Sequence, residues 1–415
     1  MEVYILDSLL RRTTVVDVFE SFIWTERHAE FGDFQLIMPS TPGNRGLFPL
    51  GVRLAHNESL RVMTVETVES VTDDAGKKML TIKGRSLEAI LADRLLAQIY
   101  GAERYMPWQI QSLSPGDAAR EMFDYICVSG NLSAGDIIPM VITNQSLYPA
   151  GTIPEPANLL TDMLDIQPLY DGLKKVLDPY EMGFRLYRDQ NTNQLHFDVY
   201  AGSDRTSQQT ALTPVIFSEG MGTLQNVSSL KTIEKSKNVA YVTFQDSPWN
   251  IRVYPENGDP QVSGLDRRVL WVNLSSSDIP DGVVEPVNPE TVADPSTIDH
   301  SGDDLFYAWM RQRGRDALVE ARAYSAFDGE IGQHTPFKYG VHYHLGDLVE
   351  ERDEDGAANY MRVTEQIFAS DAEGDRSYPT LVKELTVEAG AWASWRYDVQ
   401  WSDMADTETW ASQPD

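Results

Sequence analysis

The chain has 415 residues, 42% hydrophobic and 10% aromatic, which is enough to bury sizeable cores and long enough to predict two to four domains. Its 34 basic and 63 acidic residues give a formal net charge of −29, the wrong balance for gripping phosphates or an anionic membrane through the general surface. A lone cysteine, Cys127, excludes an intramolecular disulfide and a cysteine-based metal site, and neither a secretory leader nor an apolar run of the roughly 18 residues that span a bilayer is expected.

In chain order, Met1–Leu6, Val15–Thr25 and Phe34–Met38 are rich in β-formers, the last alternating at period two. The cluster from Pro39 to Asn44 marks a turn. Val52–Ala55, Leu60–Val71 and Lys78–Ile82 follow as strands, the last two joined by a hairpin turn over Thr72–Gly76. Ser86 is placed to cap a helix over Leu87–Leu96, with Glu88 at its start. Residues 1–102 thus predict a small β-barrel or sandwich closed by a helix.

A more helical stretch comes next, and residues 103–210 are expected to form a mixed α/β domain. Ser114 caps a helix with Pro115 in its first position and Asp117 at its third, ahead of Met122, Phe123 and Ile126. Cys127 falls in the same apolar pattern and reads as a buried, inert thiol. Asn158–Leu164 and Leu169–Leu177 read as amphipathic helices separated at Pro168, and Phe184–Tyr187 with Leu195–Tyr200 as a hairpin.

Strands return at Val215–Phe217, Leu224–Lys231, Asn238–Phe244 and Val269–Val272. Residues 276–301 read as an exposed loop, and Ser301–Asp304 opens a long helix to about Tyr324 with Leu305, Trp309, Leu318 and Ala321 near one face. Tyr343–Glu350, Tyr360–Phe368 and Thr380–Glu388 are the last strands. Residues 211–275 and 335–390 are therefore expected to make a second β-barrel, interrupted by an insertion of loop plus helix over 276–334. Residues 391–415 form a tail carrying Trp392, Trp395, Trp401 and Trp410.

One pattern is written twice. Gly51-Val52-Arg53-Leu54, then Val65–Val71, then Asp73-Asp74-Ala75-Gly76, then Met79–Lys83 is matched by Gly346-Asp347-Leu348-Val349, Thr364–Ser370, Asp371–Gly374 and Thr380–Lys383. The copies lie about 295 residues apart, and a duplicated barrel is the expectation. The fold class is accordingly α+β, mostly β: two related β-barrels with smaller mixed α/β domains between them.

Residues with chemical potential are few. His342 and His344 would share one face of a strand, and with Asp347 they form the one grouping with metal-ligand character; the competing reading is a surface strand before a Gly-Asp turn. The acidic turns at Asp73-Asp74, Asp353–Gly356 and Asp371–Asp375 lack calcium-loop spacing and read as polar hairpin turns. No nucleophile elbow, phosphate-binding Gly-Lys-Ser/Thr loop or zinc-helix motif is present, so no catalytic residue, metal ligand or cofactor is assigned. Arg267 and Arg268 are candidates for pairing with acids of a neighbouring subunit, the alternative being a solvated turn. Trp392, Trp395 and Trp401 are candidate interface anchors, unless they fold back onto the chain itself.

Several stretches in order along the chain resemble the minor tail proteins of long-tailed phages that form the tail hub. They include Ser21–Trp24 with Gly32-Asp33-Phe34, Gly84-Arg85-Ser86-Leu87-Glu88, Val199–Thr206, Pro214–Ser218, Lys237–Ala240, Gly264–Arg268 and Tyr343–Asp347. This family is similar to the baseplate hubs of contractile-tailed phages. The resemblance implies a structural, non-enzymatic subunit of the virion tail tip, assembled in the host cytoplasm, with two barrel hub domains per chain and a homotrimeric ring. It also implies a ring that adapts the six-fold tube, contacts the distal tail protein, the tape measure protein and tip or fibre proteins, and lets viral DNA pass without specific binding. Membrane insertion is not expected. A receptor- or carbohydrate-binding tail module is the alternative, supported by the scattered tryptophans.

Overall fold

The computed structural model of the chain describes residues 1–72, 76–101, 104–144, 151–156, 159–218, 220–245, 248–255, 262–280, 282–288, 303–321, 323–331, 336–352, 358–372 and 374–385. It opens with β1 (Val3–Leu6), β2 (Arg12–Val16), β3 (Ser21–Arg27), β4 (Asp33–Pro39), β5 (Arg53–His56), β6 (Val62–Thr72) and β7 (Lys78–Ser86). The alternation in β4 sends Phe34, Leu36 and Met38 into the core and leaves Asp33, Gln35 and Ile37 half-buried on the other face. The strand expected over Val15–Thr25 is two strands, because the chain turns between Val16 and Ser21. The helix expected after Ser86 is a 3-10 helix, Leu87–Asp93, that buries Leu87, Glu88, Ala89 and Leu91.

The middle of the chain contains β8 (Trp108–Leu113), α1 (Pro115–Phe123), β9 (Val141–Thr143), β10 (Leu160–Leu164), α2 (Leu169–Leu177), β11 (Gly183–Arg188) and β12 (Leu195–Tyr200). Helix α1 starts where its sequence signals place it: Ser114 Oγ accepts the Asp117 N–H at 3.2 Å and Pro115 occupies the first turn. Asn158, the first residue of the helix expected over Asn158–Leu164, lies outside the described residues, and Leu160–Leu164 is instead strand β10, antiparallel to β8 from Trp108↔Leu164 to Leu113↔Leu160. Leu160 and Leu164 are both buried, and a spacing of four puts two residues on one face of a strand as well as of a helix. Pairing with β8 decides the matter. The core here stacks Phe123 on Phe197, centroids 3.8 Å apart, and takes in Leu6 and Val62 from the first strands, Leu10 from the turn after β1, and Leu87 and Leu91 from the 3-10 helix.

The remaining elements are β13 (Ile216–Ser218), β14 (Leu224–Thr232), β15 (Val239–Phe244), β16 (Asn250–Val253), β17 (Val269–Leu274), α3 (Asp303–Glu320), β18 (Ala323–Ile331), β19 (Leu348–Arg352), β20 (Ala358–Asp371) and β21 (Gly374–Leu385). Strands β16-β15-β17 form a small sheet on which α3 lays Phe306, Trp309, Met310 and Leu318. These strands share their core with α3 and not with β19–β21.

Thirteen strands join in one sheet along the path β14-β18-β21-β20-β3-β4-β7-β6-β5-β1-β2, with β19 also pairing β20 and β13. Its two halves repeat one order. β3-β4-β7-β6-β5-β1 corresponds to β14-β18-β21-β20-β19-β13, and every step is antiparallel except β13 on β19. The copies agree down to a bulge. Glu66 is the extra residue between Val65↔Gly84 and Thr67↔Lys83, and Thr364 the extra residue between Val363↔Leu381 and Glu365↔Thr380. Beside the bulges the Gly51 and Gly346 N–H groups donate to the Val65 and Val363 carbonyls at 2.7 and 2.8 Å. In return, the Val65 and Val363 N–H groups donate to Val52 and Asp347 at 2.9 Å each. Both glycines take positive φ, 84° and 87°, which an L side chain resists. The fold is mostly β, and no closed barrel is detected among the described residues.

Candidate assembly surfaces

Strand β20 joins the two halves. Its first residues pair with β19, while Glu365–Ser370 pair with Arg27–Phe22 of β3. Arg27 ties this joint across three strands, with Nε donating to Glu365 at 2.6 Å and Nη1 to Asp33 at 2.5 Å. Phe368 inserts into the first half's core, its ring 5.1 Å from His56 and 5.7 Å from Tyr339. Beneath it, buried Glu26 accepts from the Tyr339 hydroxyl at 2.8 Å, from the Trp24 indole at 3.3 Å and from Ser59. Burial, with Glu26 alongside, pushes the Tyr339 phenol well up from its ordinary value.

The middle of the chain is fastened to both halves by buried charge. Arg61 pairs with Glu88, whose Oε1 also accepts the Leu186 N–H at 2.8 Å. Arg362 donates to the Ala201 and Gly346 carbonyls at 2.7 and 2.6 Å and to Glu181 at 2.7 Å, so one guanidinium touches the middle of the chain and the second half together. His28 completes the junction, its Nε2 3.1 Å from the Glu181 carbonyl. Burial, reinforced by the nearby Arg362 charge, lowers its pKa to about 3. His56, enclosed by Phe22, Trp24 and Phe368, is lowered to about 4 chiefly by burial. These residues make the joint between the halves and the middle of the chain.

Arg267 and Arg268 lie at the entrance to β17, and their guanidinium groups serve their own chain. Arg267 donates to the Val262 carbonyl and the Tyr241 hydroxyl, both at 2.9 Å, and Arg268 to the Ile233 carbonyl at 2.7 Å. Around them is an apolar surface that sequence reasoning did not single out. Leu265 is fully exposed, Trp271 is 68% exposed and Val269 is 44% exposed. The signal was present in Val269-Leu270-Trp271-Val272: four apolar residues in a row give a strand two apolar faces, and α3 covers only one. Trp392, Trp395 and Trp401 lie outside the described residues.

His342 and His344 are not side by side on a strand. The chain turns through Lys338–Asp347, and β19 begins only at Leu348. His342 Nδ1 accepts the Lys338 N–H at 2.9 Å, while Asp347 accepts the Ser203 N–H at 2.7 Å and the His344 N–H at 2.9 Å. The carboxylate therefore braces a turn. Among the described residues no group of three or more His, Cys, Asp or Glu side chains is placed to hold a metal ion. Cys127 is fully buried, its thiol pushed up to about 12 mainly by burial. No helix among the described residues is long and apolar enough to cross a membrane.

Several strand edges are open among the described residues, those of β2 and β13 included. Strand β14 pairs with β18 alone, and the far half of β6, Glu66–Thr72, pairs with β7 alone among the described residues. That half of β6 is exposed apart from Val68, with Val71 at 49%. Glu66 is held by Arg85 at 2.8 Å on the sheet face away from the core.

Comparison with known proteins agrees with this architecture. The family model described as "Siphovirus ReqiPepy6 Gp37-like protein" matches residues 2–379. A tail protein from Neisseria meningitidis MC58 is similar at 12% identity and a TM-score of 0.52, with 92% of this chain and 96% of that one covered. The 43 kDa tail protein of prophage MuSo2 from Shewanella oneidensis is similar at 15% identity and a TM-score of 0.51, covering 92% and 98%. At such identities the likeness is one of fold. No curated protein matches the sequence.

Proposed function

We infer function from one premise, that this chain belongs to the siphovirus ReqiPepy6 Gp37-like family. The reading it supports best is a structural, non-enzymatic subunit of a phage tail, placed at the tail tip as a hub. The carrying observation is the duplication: two halves with one strand order, the same bulge and the same flanking glycine hydrogen bonds. Two like units in each of three chains supply six like positions, which is how a three-fold ring meets a six-fold tube. In this reading each half closes into a barrel only when copies assemble. The divisions 1–102, 103–210, 211–275 with 335–390, 276–334 and 391–415 remain the proposed domains.

The ring surrounds the DNA exit path, and the net charge of −29 suits a wall past which DNA slides without sticking. The distal tail protein, the tape measure protein and the tip or fibre proteins are the proposed neighbours. Arg267 and Arg268, with exposed Leu265, Val269 and Trp271 beside them, form one proposed contact surface, and Trp392, Trp395 and Trp401 another. The particle is assembled in the host cytoplasm and functions in the virion. Native mass measured from micromolar to near-millimolar concentration tests the reading. A trimer, seen in negative stain as a three-fold ring with a central hole, is expected; a stable dimer would overturn it.

A further inference from the structure

We propose that the segment 386–415 folds back over the outer face of the β16-β15-β17 sheet of its own chain, laying Trp392 and Trp395 on Trp271, Val269 and Leu265. This goes beyond the hub reading, because it concerns the single chain and needs no ring. Tyr241 and Trp271 stand side by side in the β15–β17 register, and together with Ile233, Leu265 and Val269 they leave an apolar surface exposed. The Trp271 indole N–H is already satisfied by Thr243 Oγ1 at 2.9 Å, so its ring lacks only an apolar cover.

Strand β21 ends at the margin of this face. Its last residue, Leu385, pairs with Ala323 of β18, and the neighbouring Tyr324 pairs with Thr232 of β14. Ile233, next after Thr232, therefore lies two strand spacings, about 10 Å, from Leu385. The Ile233 carbonyl accepts from Arg268 at 2.7 Å, and Arg268 leads directly into Val269 and Trp271. Trp392 and Trp395 follow Leu385 by 7 and 10 residues, a reach of about 23 and 33 Å at full extension. So short a tether gives an effective concentration on the order of millimolar, which favours the chain's own face over that of a second copy in dilute solution. Charge complements the contact. Lys235, Lys237, Arg252, Arg267 and Arg268 surround the face and pair with no carboxylate among the described residues, although the chain as a whole carries −29. Residues 386–415 bring six acids and a single base, Arg396. While docked, the segment withholds both of the contact surfaces proposed above.

The test uses the full chain and two variants, Trp271→Glu and the double variant Trp392→Ala with Trp395→Ala. Trp271 is largely exposed, so thermal unfolding is expected to stay unchanged in the first. Arg396 is the one trypsin site within 386–415. Cleavage after it is expected to run about tenfold faster in both variants than in the native chain. A carbodiimide that joins amines to adjacent carboxylates is expected to link Lys235 or Lys237 to an acid of 386–415. Isotope-labelled and unlabelled chains, mixed at a concentration giving a monomeric mass, tell whether the link lies within one chain, and linked peptides of a single isotope are expected. Equal cleavage rates with no such link overturn the proposal and leave the hub reading standing. Links found only between labelled and unlabelled chains also overturn it, since they place the segment on a second copy.

Discussion

His28 and His56 sit where the chain tolerates no extra charge. Their folded pKa values, about 3 and about 4, lie below the ordinary histidine value of about 6.5, so the unfolded chain binds more protons between those limits. The stability they allow is fully present above pH about 6.5 and is lost as pH falls toward 4, by about 3 kcal/mol for each. Urea midpoints measured at pH 7.5, 6 and 5 are expected to drop steadily; a flat profile would show that these rings are not held neutral. Neither residue was legible as a junction from the sequence, since a histidine announces nothing about its surroundings. Glu88 and Gly84 fared better: both lie in the stretch that carried the family resemblance, and both sit at close contacts of the fold.

The bulged hairpin is the element on which the account turns. Gly84 pairs with Val65 next to the bulge, and a Cβ there would lie 1.7 Å from the Thr64 carbonyl oxygen and 2.9 Å from the Phe34 ring. Backbone cannot step aside cheaply, so Gly84→Ala is expected to destabilise by about 3 kcal/mol. Gly46, with nothing within 4 Å of a Cβ, provides the control, and Gly46→Ala should leave thermal unfolding nearly unchanged. This hairpin and its partner were readable because glycine, β-rich runs and an acidic turn recur in one order. Segments whose state is set by neighbours were not. Asn158–Leu164 looked helical until β8 paired with it, and Tyr343–Leu345 looked like strand although its residues fill the second half's core from a turn.

At the scale of the whole molecule the sequence pointed to two related β units, and the pairing that joins them was out of its reach. Strands β20 and β3 meet across some 340 residues, and nothing in either strand names its partner. That pairing turns two units into one sheet. Electron cryo-microscopy of the assembled protein tests this most directly. The account predicts three chains about one axis and six like β units around an open channel. A two-fold assembly, or a ring whose two units per chain lie at different radii, would contradict it.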